Sequence, residues 1–160
     1  MELNFGPRGI IEIRDAKITF CNFEGRRGDY NEEGDRNFCL IIPTQEMADV
    51  LIEQGYNVKI RPPREEFDSP FMYLKVNVNF DGYRPPSIYA TSGRNTRKLG
   101  PETVGELDRS RIMGVDMNIS PFHWNKGGRS GTAAYLQSLV ADLEVDSIVA
   151  RFADEEYPTE

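Results

Sequence analysis

The 160 residues suit one globular domain, and no apolar run approaches the roughly 20 residues that a membrane-spanning helix needs. The net charge of −7 is unevenly spread: residues 142–160 contribute −6 and the other 141 residues only −1. A nearly neutral body with an acidic end excludes a uniformly basic polyanion binder, so any contact with an anion has to come from local placement of cations.

In chain order, "GIIEIRDAKITFCNF" (9–23) predicts a long first strand. Ile11 and Ile13 share one face, yet Ala16, Ile18 and Phe20 are even-numbered, so the phase slips near Arg14-Asp15. A period of two slips only at a bend or bulge, and a long bulged strand can serve two sides of a small barrel. Two short strands joined by a kink are the plainer alternative. Residues 24–36 form a polar, Gly-punctuated loop, and "NFCLIIP" then predicts a second strand with Phe38, Leu40 and Ile42 on one face. A helix follows, with Thr44 as N-cap, a stripe of Met47, Val50 and Leu51, and Gly55 as the stop. "NVKIR" predicts a third strand with Val58 and Ile60 inward and Lys59 and Arg61 outward.

The fourth strand has the clearest alternation. Leu74, Val76, Val78 and Phe80 face one way; Tyr73, Lys75, Asn77 and Asn79 face the other. Asp81-Gly82 is a turn signal and "PSIYAT" the next strand. Residues 92–111 read as a loop with a short helical piece around Glu102 to Leu107. "IMGVDMNISPFHW" alternates through Met113, Val115, Met117 and Ile119, "NKGGRSG" is a hairpin connection, and "TAAYLQSLVADLEV" is a last long strand whose phase changes between Leu136 and Leu139. Six or seven strands, one helix and two phase-slipped strands predict a mainly β fold. An OB-like, five-stranded and elaborated barrel with the helix after its second strand is the specific expectation, and a β-sandwich is its rival. Residues 1–145 form the domain in this reading, and 146–160 a mobile acidic tail.

Little in the chain argues for catalysis or a cofactor. There is one histidine, His123, and no CxxC, HxxxH or Gly-rich phosphate loop. Asp29, Glu32, Glu33 and Asp35 share a loop, but their spacing departs from a calcium loop, and a solvated loop is the simpler expectation. No metal and no cofactor is therefore expected. Without an export signal in view, Cys21 and Cys39 are expected to be free thiols in a reducing cytoplasm; their pairing is left open.

Binding is better supported. Residues 82–101 hold Arg84, Arg94, Arg97 and Lys98 with no acidic residue among them. Lys59, Arg61, Tyr73 and Lys75 share outward faces, followed by Tyr83, Arg84 and Tyr89, and Arg64 extends the first group. Cations that track phosphates, interleaved with rings that stack on bases, suit single-stranded nucleic acid. Trp124, near Lys126 and Arg129, is a further stacking candidate. The ordinary uses of these residues stand beside that reading: outward Lys and Arg on a half-buried sheet, Tyr as packing, a lone Trp as core.

The order of segments, "DAKITFCNF", a Gly/Asn loop, "RNFCLIIP", "TQEMADVLIEQG", a strand, "VDMNISPFHW" and "GRSGTAAYLQSLVAD", resembles the single-stranded DNA-binding proteins of tailed bacteriophages, the group similar to the T7-type replication protein. The resemblance covers roughly residues 9–145 and rests on pattern and order. It implies an OB barrel that binds single-stranded DNA without catalysis, in phage replication, recombination or repair, inside an infected bacterium. It also implies an acidic tail that contacts replication proteins, and a possible homodimer. This tail ends Tyr157-Pro158-Thr159-Glu160, without a terminal aromatic residue. A phage module that acts on a host protein, such as a defence inhibitor, is the alternative; a small structural phage protein and an enzyme rank below it.

Overall fold

A computed structural model describes residues 1–65 and 68–145. Residues 146–160, where the acidic tail is expected, lie outside the described residues. The described chain builds ten strands: β1 (Glu2–Phe5), β2 (Ile11–Ala16), β3 (Ile18–Asn22), β4 (Arg36–Ile42), β5 (Lys59–Arg61), β6 (Phe71–Val78), β7 (Ser87–Ser92), β8 (Asn95–Leu99), β9 (Ile112–Lys126) and β10 (Arg129–Leu143). The α-helix α1 (Gln45–Glu53) stands between β4 and β5, and a 3-10 segment spans Val104–Arg109.

The slip anticipated in the first strand is real. β2 pairs β9 with Ile13 opposite Met117 and Ala16 opposite Val115, one residue more on β2 than on β9. Asp15 absorbs that residue with a left-handed φ of 55°, and its N–H is held by Asp116 Oδ1 at 2.8 Å. Ile11, Ile13 and Ala16 are consequently all buried despite their mixed parity. Only Lys17 separates β2 from β3, and it joins two neighbourhoods. Its carbonyl accepts from Ile41 N–H on β4 (3.0 Å), and its ammonium donates to the Met113 carbonyl on β9.

A second irregularity follows at once. Thr19 faces Cys39 and Asn22 faces Asn37, again one residue extra, with Phe20 at φ 50°. The even phase predicted for Ala16, Ile18 and Phe20 therefore ends before Phe20. Ile18 packs against the core and Phe20 is 53% exposed.

The pairing runs β1-β2-β9-β10-β6-β4-β3, with β5 on β6, and with β7 on both β10 and β8. β10 lies parallel to β6 at Ala134–Tyr135, then parallel to β7 from Ser138 to Asp142. The change of partner coincides with the irregularity between Leu136 and Ser138, at the predicted phase change. The inward residues of these strands form one core, in which Phe23 and Phe38 stack at 5.1 Å.

Two segments pin the core. In α1, Thr44 caps the Met47 N–H (3.2 Å), a contact of a kind that contributes about 1 kcal/mol. Ala48 and Leu51 are buried, whereas Val50, expected in the stripe, is exposed. The helix stops at Gly55 with φ +94°, where a side chain would sit 2.7 Å from Thr132 Oγ1. Thr132 is buried on β10; its hydroxyl donates to the Gln54 carbonyl (3.1 Å) and its N–H to the Gly55 carbonyl (3.0 Å). With that hydroxyl donating, His123 Nδ1–H at 3.1 Å is the group that donates to it, which gives the lone histidine a structural place. In the 3-10 segment, Asp108 accepts from the N–H groups of Phe23 (2.8 Å) and Glu24 (3.0 Å).

Other expectations need correction. Residues 92–111 are not one loop: β8 lies within them, hairpinned to β7. Ile60 is not inward but 46% exposed, because β5 is a three-residue edge strand beyond the core. Met113 is exposed, and Phe80 lies past the end of β6, though it packs against the core as expected. β1 escaped the sequence reading altogether.

Gly55→Ala must both adopt a left-handed backbone and displace the Thr132 hydroxyl. We expect it to destabilise the fold by about 2 kcal/mol or more, read from urea unfolding.

Candidate nucleic-acid interface

Alternation decides what the sheet shows to solvent. Met72, Leu74, Val76 and Val78 of β6 point into the core, so Phe71, Tyr73, Lys75 and Asn77 stand on the outer face. Register then brings neighbours to them. Lys59 and Arg61 of β5 pair with Tyr73 and Phe71. On β4, Cys39 pairs with Lys75 and Asn37 with Asn77. On β10, Tyr135 stands beside Asn77, whose amide donates to the Ala134 carbonyl at 3.3 Å.

At one end of this face lies a ring cluster. Phe20 meets Tyr73 edge-on at 5.6 Å and Phe71 at 6.2 Å, and Phe71 lies 5.4 Å from Tyr73. The Arg61 guanidinium lies over the rings of both Phe20 (5.8 Å) and Tyr73 (5.4 Å). Tyr73 is covered by this arrangement and is only 9% exposed. Beyond Lys75 the face becomes amide-rich. Asn37, Lys75, Asn77, Asn79 and Tyr135 line a pocket of about 280 Å³ together with the carboxylates Asp35 and Asp81, and a second of about 300 Å³ shares Asn79 and Tyr135 and adds Arg8, Tyr83 and Arg84. Tyr135 packs edge-on against Phe122 at 5.8 Å. Trp124, two residues further on β9, lies across Gly131, where even a Cβ would come within 2.7 Å of the indole.

The loop before β4 borders the same groove. Asn31 organises it: its amide donates to the carbonyls of Arg26, Glu32 and Asp35, and its own carbonyl accepts from Asn37 on the face (2.8 Å). Tyr30 beside it is fully exposed. Among the described residues, no group of three or more His, Cys, Asp or Glu side chains is placed to hold a metal ion.

A family model for the phage ssDNA-binding domain matches residues 6–159. The chain belongs to that family. No curated protein sequence matches it significantly. Among solved structures it is similar to the single-stranded DNA-binding protein from bacteriophage Enc34. The full protein matches at 13% identity and a TM-score of 0.54, covering 88% of this chain and 89% of that one. A form of it in complex with ssDNA matches at 15% and 0.53, covering 84% and 86%. These likenesses concern the fold. The single-stranded DNA-binding protein encoded by bacteriophage T7 is looser still, at 12% and 0.42, covering 84% and 86%.

Within this family member the predicted residues separate into groups. Lys59, Arg61, Tyr73 and Lys75 gather on one face, and Tyr83 and Arg84 border the pocket that continues from it. Tyr89 and Lys98 stand opposite each other on β7–β8, beside the second half of β10. Arg97 pairs with Ala90 on the other side of that hairpin and is tied to Glu106 in an ion pair, a structural use that the loop reading did not foresee. Arg94 lies in the turn between β7 and β8. The reading missed Phe20, Phe71, Phe122 and Tyr135. Simple alternation would have found three of them, since Phe71 lies two before Tyr73, Phe122 two before Trp124, and Tyr135 between buried Ala134 and Leu136.

Both cysteines are free thiols. Burial, then the nearby Asp108 carboxylate, pushes Cys21 up to about 12. Burial raises Cys39 as well, against the opposing pull of Lys75, Lys59 and Arg61. Since the thiolate is the reactive form, Cys21 is held as the unreactive thiol at pH 8. Native protein is expected to react with a thiol reagent at pH 8 orders of magnitude more slowly at Cys21 than unfolded protein does; equal rates would contradict the burial.

Proposed function

We propose that this chain coats single-stranded DNA along the outer face of β4, β6 and β10, as a non-catalytic protein of phage replication, recombination or repair. The observation that carries the reading is the meeting of Lys59, Arg61 and Lys75 with the Phe20–Phe71–Tyr73 rings on that one face. Cations neutralise phosphates and release their counterions, while rings accept bases of any identity. Family membership and the Enc34 protein that was solved with ssDNA support the same ligand. At the ring end of the face, cations and rings gather, groups that hold a strand.

The barrel we infer is OB-like. Taking β2–β3 as one bent strand, pairing passes from it to β4, β6, β10, β9 and back to β2, with β6 and β10 parallel and the other contacts antiparallel. That five-membered circuit, with α1 after its second member, supports the expectation from sequence; β1, β5, β7 and β8 elaborate it. Tyr83, Arg84 and Trp124 extend the proposed path, Arg94 and Lys98 with Tyr89 form its outlying part, and Arg97 contributes least because Glu106 engages it. Residues 1–145 are the binding domain in this reading, and 146–160 an acidic tail that competes for the cationic face and is released to replication proteins. The protein acts in the cytoplasm of the infected bacterium, as a monomer or homodimer.

Titration with oligo(dT) tests the reading. Affinity is expected to fall with added salt, and Lys75→Ala to reduce the slope of log K against log salt by about 0.7, the increment for one phosphate contact to a single strand. No binding at low salt overturns it. Removal of residues 146–160 is expected to tighten binding at low salt, and an unchanged affinity would leave the tail without a competing role.

A further inference from the structure

Phe20 is an aromatic residue held in the left-handed backbone region at φ 50°, a conformation unfavourable for an L-residue. An unbroken strand would have placed its ring toward the core and the Cys21 thiol toward solvent. The extra residue opposite Phe38 swaps them: Cys21 packs against the core, and the Phe20 ring stands on the outer face at 53% exposure. The bulge carries Cys21 against the core and Phe23 fully into it, stacked on Phe38, so burial accounts for the inward half of the swap and leaves the outward ring to be explained. Strain of this kind collects where function requires a particular presentation.

What the bulge presents is a platform. Phe20 rests edge-on against Tyr73 and Phe71, which hold its ring upright, and Tyr73 is too covered to offer a face of its own. Arg61 lies over the Phe20 ring, so this ring already accepts a flat, delocalised cation. With Arg61, Lys59 and Lys75 around it, the occupant that fits is one with a flat apolar face and an attached anion. We infer that Phe20 is a base-stacking residue of the interface, that Tyr73 and Phe71 are positioning residues beneath it, and that Arg61 serves the phosphate of the stacked nucleotide. The inference rests on the single-stranded DNA reading and assigns within it a residue that the alternation of the strand conceals.

Stacking and charge pairing differ in their response to salt, which separates this role from a general loss of fold. Binding of a fluorescein-labelled oligo(dT) would be followed by anisotropy at several salt concentrations, for the full-length protein and its variants. Phe20→Leu keeps an apolar side chain without a π-face. It is expected to weaken binding about 5- to 150-fold, the range of one base–aromatic stack, with an unchanged salt slope. Phe20→Trp is expected to bind within about threefold of wild type. Phe20→Asn, which suits the left-handed backbone, is expected to unfold at the same temperature as wild type or higher, and to bind as weakly as Phe20→Leu. If wild type binds and Phe20→Leu binds equally well, or loses affinity only through a reduced salt slope, the stacking role falls and the DNA reading stands. If wild type fails to bind, the DNA reading falls and the platform with it.

Discussion

The architecture depends on interrupting a period of two. A regular strand shows one set of side chains to the core and the other to water for its whole length. β2–β3 breaks this rule twice within six residues, at Asp15 and Phe20, each with a left-handed backbone and one residue more than its partner strand. The first break lets one continuous chain leave β9 and reach β4 through Lys17, while Ile13 and Ala16 both stay in the core. The second turns a ring outward. The passage from β9 to β4 and the outward ring are thus produced by one device, used twice.

The same argument shows what was legible in the sequence. Where alternation is unbroken, as in β4 and β6, register and face could be read directly, and so could the outward positions of Tyr73 and Lys75. The slip near Asp15 was visible because Ile11, Ile13 and Ala16 cannot share a face otherwise. The slip at Phe20 was not. Phe20 follows Ile18 by two, and Thr19, Phe20 and Cys21 are all tolerated on either side, so hydrophobicity carries no signal there. β8 was hidden for a different reason. "NTRKL" has one apolar residue, and only its pairing with β7 makes it a strand. A loop would leave Arg97 and Lys98 as neighbours, whereas the strand sends their side chains to opposite faces.

The partners of the cations decide which of them can serve a ligand. Arg97 is held by Glu106, Arg109 by Glu24 (3.3 Å) and Arg14 by Glu12. Arg36 donates to the Phe23 carbonyl (2.7 Å) and lies over Phe80. Arg61 has rings for neighbours, and an aromatic face holds a guanidinium more weakly than a carboxylate holds it. A basic run in a sequence does not reveal this distinction. Of the run from Arg84 to Lys98, Arg84 borders the pocket shared with Asn79 and Tyr135, while Arg97 is spent on the fold.

An acidic chain can hold a polyanion where its cations are gathered locally, and β5 and β6 gather three of them. Lys59, Arg61 and Lys75 stand on β5 and β6; Glu2, Glu12 and Asp116 stand on β1, β2 and β9. A phosphate near Lys75 meets the cations of β5 and β6 together with Asp35 and Asp81, which line the same pocket as Lys75. Net charge, the property most easily computed from the sequence, is for this reason a poor guide to what the face binds.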